Sequence, residues 1–141
     1  VPVCGTYYVQ TYTLNMNVLV LSLISGLAID TLLMVNNYRD REQDAVSGKC
    51  TLVVRYGRKF GENMYLGLGI AATLLCLWFV NTGQLTLIEF IWAPCVYLCM
   101  HALTWRKMVN IRSGKGLNRI LGETSRNMLF LGILLAVALA A

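Results

Sequence analysis

The chain has 141 residues, 57% hydrophobic and 13% charged, with a mean hydropathy of +0.59 and a net charge of +5. Soluble domains carry about a quarter charged residues, so this composition excludes an ordinary water-soluble fold and places a single domain in lipid. The bases flank apolar spans instead of forming a soluble patch, which excludes nucleic acid as a partner. Five cysteines, odd in number and without a CxxC pair, exclude a disulfide framework and point away from zinc.

Residues 1–13 are expected to be a loop or chain end. Tyr7, Tyr8 and Tyr12 suit a membrane–water interface. These first residues read neither as a signal peptide nor as a start, and the expectation is a piece of a longer protein. Residues 14–35 form the first span, whose 22 residues reach about 33 Å as a helix, enough for a hydrocarbon core of ~30 Å. Asp30 lies inside it. An acid at that depth is expected to face the bundle interior and to touch an aromatic substrate or a neighbouring helix. No Gly or Pro separates the span from Asn36, so the helix is expected to continue past Asp40.

Glycines at 48, 57 and 61 punctuate the polar stretch that follows. Leu52 and Tyr56, one turn apart, suggest a short interfacial helix. Further spans are expected at 63–80, 85–105 and 127–141, the third kinked at Pro94 and ending at Trp105. His101 is expected to pack, not to act as a base. The fold class is therefore an all-α, polytopic transmembrane helix bundle with about four spans. All twelve Lys and Arg fall within residues 39–59 and 106–126, six in each. Two spans separate these stretches, so both emerge on one side, which the positive-inside rule makes cytoplasmic.

Asp40 and Asp44 are four residues apart and share a helix face, with Asn36 one turn earlier. Two carboxylates so close repel unless a cation or proton compensates. Magnesium suits the pair, because it takes one or two carboxylates plus phosphates and waters. Asn36 or Asn37 would add a neutral oxygen. Arg39, Arg41, Lys49, Arg55, Arg58 and Lys59 surround the acids. Lys49 suits a phosphate as a point charge and Arg55 as a two-pronged clamp. A solvated juxtamembrane loop of mutually pairing charges explains the same residues equally well.

The stretch Asn36-Asn37-Tyr38-Arg39-Asp40-Arg41-Glu42-Gln43-Asp44, continuing through Gly48-Lys49, Thr51-Leu52, Val54-Arg55 and Gly57, resembles the second aspartate-rich motif of the UbiA superfamily of intramembrane prenyltransferases. It is most similar to the branch acting on 1,4-dihydroxy-2-naphthoate in menaquinone synthesis. The resemblance implies the C-terminal part of a nine-helix fold integral to a bacterial cell membrane. It also implies magnesium as cofactor, with polyprenyl diphosphate and the naphthoate as partners. Asp40 and Asp44 become the catalytic metal-site acids. Asn36, Asn37, Arg39, Lys49, Arg55 and Asp30 become substrate contacts. The family's first aspartate motif is absent, so the chain alone is expected to be inactive. Another aromatic acceptor, such as 4-hydroxybenzoate or homogentisate, and a membrane transporter are the competing expectations.

Overall fold

The computed structural model describes residues 2–140, apart from the side chains of Pro2, Glu89, Phe90 and Ala140. Among the described residues all regular structure is helical. The order is α1 (Pro2–Thr11), α2 (Met16–Val46), α3 (Leu52–Tyr56), α4 (Arg58–Leu75), α5 (Leu77–Asn81), α6 (Leu87–Phe90), a π-helical turn (Ile91–Cys95), α7 (Val96–Ile111) and α8 (Leu117–Ala140). Among the described residues three helical segments are long and apolar enough to cross a membrane: Met16–Val46, Arg58–Asn81 (α4 with α5) and Leu117–Leu139.

Two expectations change here. The first residues are helical, not a loop. A proline at the first helical position gives up an N–H that would be unpaired anyway, and the Tyr8 and Tyr12 rings meet edge to face at 6.5 Å one turn apart. The expected span at 85–105 is broken into α6, the π turn and α7. Pro94 lies inside the π turn; it lacks an N–H and its ring crowds the preceding turn, so the regular hydrogen-bond ladder cannot pass through it. The second and fourth spans start earlier than expected, at Arg58 and Leu117.

Helix α2 is the axis of the molecule. Asn15 caps its start, its side chain accepting from Asn17 N at 2.9 Å. As the sequence suggests, the helix runs past Asp40 without interruption. Its 31 residues extend about 46 Å, well beyond a hydrocarbon core of ~30 Å. The apolar part crosses, and the last turns carry the charged motif outward on the same rigid rod. Gly48, at φ +77°, makes the left-handed turn that ends α2 and folds the chain back.

Two packed clusters hold the bundle. Toward one end, Val20, Ile24 and Ala28 of α2 meet Ala72, Phe79, Tyr97, Leu131 and Leu135. Toward the charged end, Val35 and Tyr38 meet Val53, Tyr65, Met108, Leu117 and Ile120. Between them lies a polar seam. The His101 ring stacks on Tyr65 at 4.3 Å and on Tyr97 at 5.6 Å, and its Nε2 lies 2.9 Å from the Tyr65 carbonyl. Packed as expected, His101 is fully buried. A Cβ at Gly69 would overlap its ring, so the close approach of α4 and α7 depends on glycine there. Tyr65 and Thr124 share a hydrogen bond at 2.9 Å, and Asn127 Nδ2 donates to Thr104 Oγ1 at 2.9 Å.

Candidate active site at the charged end of the bundle

Positions 19, 23, 26, 30, 33, 37, 40 and 44 of α2 recur at alternating steps of four and three, which traces one face of a helix. The opposite face, through Val20, Ile24, Ala28, Val35 and Tyr38, is buried. On the traced face Leu19, Leu23 and Leu33 are exposed, and so is Asp30. Asp30 is therefore not packed within this part of the bundle, and the expected contact with a neighbouring helix is not made among the described residues. Its side chain points away from the helices described and bonds to none of them. The reason is geometric: Asp30 falls about 80–160° around the helix from the residues that pack. It shares its stripe with Asn37 and with both acids of the motif.

The structure brings Asn36, Arg39 and Asp40 together. Arg39 Nε donates to Asp40 Oδ1 at 2.7 Å, and Nη2 donates to Asp40 Oδ2 and to Asn36 Oδ1, each at 2.8 Å. This is a two-pronged, charge-assisted pair. Asp44 is treated differently. The turn after α2 folds over it, with Lys49 N donating to its carbonyl at 2.9 Å and Ser47 Oγ at 3.0 Å. The side chain is 12% exposed, with Lys49 Nζ 3.4 Å from Oδ1. Its Oδ2 is buried and has no hydrogen-bond partner among the described residues. A buried carboxylate oxygen without a donor calls for a cation or water.

Arg55 and Asn37 are not drawn into this group. Arg55 is exposed on α3, its guanidinium 5.5 Å from the centroid of the Tyr56 ring. Asn37 is half-buried and makes no side-chain hydrogen bond among the described residues. Helix α3 exists because Thr51 caps it, Oγ1 accepting from Val54 N at 3.3 Å. Its Val53 is fully buried, wedging the helix beneath the motif. Around it, Arg41 Nε donates to the Val53 carbonyl at 3.2 Å, Arg58 pairs with Glu42, and Tyr38 donates to Glu62 Oε1 at 2.8 Å. These bonds brace α2 against α3 and α4.

Sequence reasoning missed two residues that matter here. Asn118, at the start of α8, accepts from Arg39 Nη1 at 3.1 Å. Glu123 is buried and pairs with Lys107 at 2.8 Å and Arg119 at 3.2 Å. The four-residue step from Arg119 to Glu123 signals that second pair. Nothing in the sequence signals the contact between Arg39 and Asn118, which joins residues 79 apart.

The residues present fit a divalent cation of the magnesium type. Among the described residues no cluster of three or more His, Cys, Asp and Glu forms a complete protein cage. Two carboxylates one turn apart, one with a buried free oxygen, suit a metal that completes its shell with waters and phosphates.

A helical membrane bundle whose longest helix ends in paired carboxylates among guanidinium and ammonium groups defines a membrane protein with an acid–base site at one face. The chain belongs to the UbiA prenyltransferase family, whose model matches residues 1–131. It is 32% identical over 145 aligned positions to 1,4-dihydroxy-2-naphthoate octaprenyltransferase of Mycobacterium leprae, covering 99% of this chain and 46% of that protein. The Mycobacterium tuberculosis protein of the same name gives the same identity and coverage. That of Haemophilus influenzae is 40% identical over 72 residues, 51% of this chain and 23% of that protein. The chain thus spans less than half the length of these curated relatives. No solved structure matches it.

Proposed function

We propose that the protein carrying this chain transfers a polyprenyl group from its diphosphate to 1,4-dihydroxy-2-naphthoate, with magnesium, at the end of the bundle where α2 leaves the membrane. The observation that carries this reading is Asp44 Oδ2, buried and unpartnered, one turn from Asp40 and with Lys49 beside its other oxygen. Family membership supports prenyl transfer over transport. The naphthoate acceptor is supported by the names of the relatives.

Asp40 and Asp44 would hold the metal, with Asn36 alongside. Bound there, magnesium would neutralise the departing diphosphate as a Lewis acid. Arg39 and Lys49 would supply positive charge to phosphate oxygens. Helix α2 orients Asn36, Arg39, Asp40 and Asp44 as one rigid piece, which favours a fixed geometry over a loop-borne one. Below the motif, the leucines of the same face offer neither a nucleophile nor a proton donor. An allylic cation formed against these leucines is shielded from water. Asp30 is the one carboxylate among them, ten residues below Asp40 and so about 15 Å deeper. It is placed to accept a hydrogen bond from an aromatic hydroxyl. The clustered bases support a cytoplasmic face for the site.

The test supplies labelled polyprenyl diphosphate, dihydroxynaphthoate and magnesium to membranes holding the complete protein. Prenylated naphthoate is expected, and a chelator abolishes it. Product formed undiminished in chelator contradicts the metal role. A preference for 4-hydroxybenzoate contradicts the acceptor.

A further inference from the structure

Arg39 is the most heavily committed side chain at the charged end. Its guanidinium makes four hydrogen bonds: two to Asp40, one to Asn36 and one to Asn118. The first three stay within α2. The fourth reaches the first turn of α8, which follows the Gly114–Gly116 turn. Asn118 is exposed, and Arg39 is the partner of its side-chain oxygen.

The consequence lies in how the two acids differ. Both oxygens of Asp40 are taken by Arg39, whereas Asp44 keeps one free. A guanidinium is a planar fork that fits a phosphate as well as a carboxylate. A metal diphosphate brings both exchange partners together: a phosphate for Arg39 and a cation for Asp40. The swap exchanges one ion pair for two and leaves no charge bare. It requires only that the guanidinium stay near the Asn36–Asp40 turn while it changes partner. Among the described residues Asn118 is the one hydrogen-bond partner that holds the fork from outside α2.

We propose that Asn118 is a positioning residue of the diphosphate site. It holds the Arg39 fork from α8, so that Arg39 passes from Asp40 to a phosphate oxygen when the diphosphate binds. The inference rests on the prenyl diphosphate reading above and adds to it a residue outside the aspartate motif.

Inorganic pyrophosphate with magnesium is the probe, titrated calorimetrically into the complete protein in lipid nanodiscs. Wild type is compared with Asn118→Leu, Arg39→Gln and the double variant. Asn118→Leu is expected to weaken pyrophosphate binding roughly 3- to 10-fold, the scale of one hydrogen bond. In the Arg39→Gln background the same change is expected to have no further effect. Prenyl transfer is expected to show the matching split: KM for the diphosphate rises, while kcat and the KM for the acceptor stay within about twofold. Asn118→Ala, at an exposed position, repeats the measurement should the leucine variant fold poorly. Unchanged affinity, or an equal loss in both backgrounds, overturns the role of Asn118. Wild-type protein that binds no pyrophosphate overturns the diphosphate reading beneath it as well.

Discussion

Two buried carboxylates stand at the charged end of the bundle, and their surroundings differ in one respect. The Glu123 side chain is 10% exposed and has a cation on each oxygen: Lys107 on Oε2 and Arg119 on Oε1. Asp44 is 12% exposed and has only Lys49, at 3.4 Å on Oδ1, with Oδ2 bare. Glu123 is complete and staples α7 to α8. Asp44 is incomplete, and an unsatisfied buried group costs about 1–3 kcal/mol. On the function proposed above, equal burial with unequal satisfaction is what would separate a structural acid from one held ready for a ligand. The other bare buried atoms, Tyr97 Oη, His101 Nδ1 and Asn127 Oδ1, belong to uncharged side chains in the polar seam and do not compete for a cation.

The contrast is sharpest where activity and stability move apart. Asp44→Ala is expected to lower prenyl transfer by about 100-fold or more, through loss of a metal ligand. Its thermal midpoint is expected to stay level or rise, since a bare buried oxygen is removed. A large fall in midpoint would class Asp44 with Glu123. Gly69→Ala forces a methyl group into the His101 ring and is expected to cost roughly 1–3 kcal/mol of stability, read by thermal unfolding. Turnover per folded molecule stays close to wild type. Glu123→Gln is expected to cost about 1 kcal/mol, because its partners Lys107 and Arg119 are half or more exposed and solvent screens the pairs. Its prenyl transfer is expected to remain within about twofold. A collapse of turnover in Glu123→Gln without unfolding would erase the distinction between the two acids.

Much of the charged end was legible in the sequence because its signals are local. The step from Asp40 to Asp44 places both on one face, and the missing breaker before Asn36 extends α2 through them. Leu52 and Tyr56, one turn apart, mark α3. What escaped depends on which neighbour occupies which side. The apolar run of 14–35 is greasy all round, so its pattern does not say which face packs against the helices described here and which is left open with Asp30 on it. The Asn118 clasp and the seat of His101 against Gly69 join residues far apart in the chain. Pro94 announced a kink, but only the structure shows the break as a π turn between helices of four and 16 residues.

The central claim is that Asp44, and not Glu123, is the open carboxylate of a metal-diphosphate site. Manganese is a paramagnetic stand-in for magnesium, so electron paramagnetic resonance can count the ions bound by the complete protein in nanodiscs as pyrophosphate is added. The account expects pyrophosphate-dependent manganese binding in wild type and in Glu123→Gln, and its loss in Asp44→Asn. Equal binding by wild type and Asp44→Asn would contradict it.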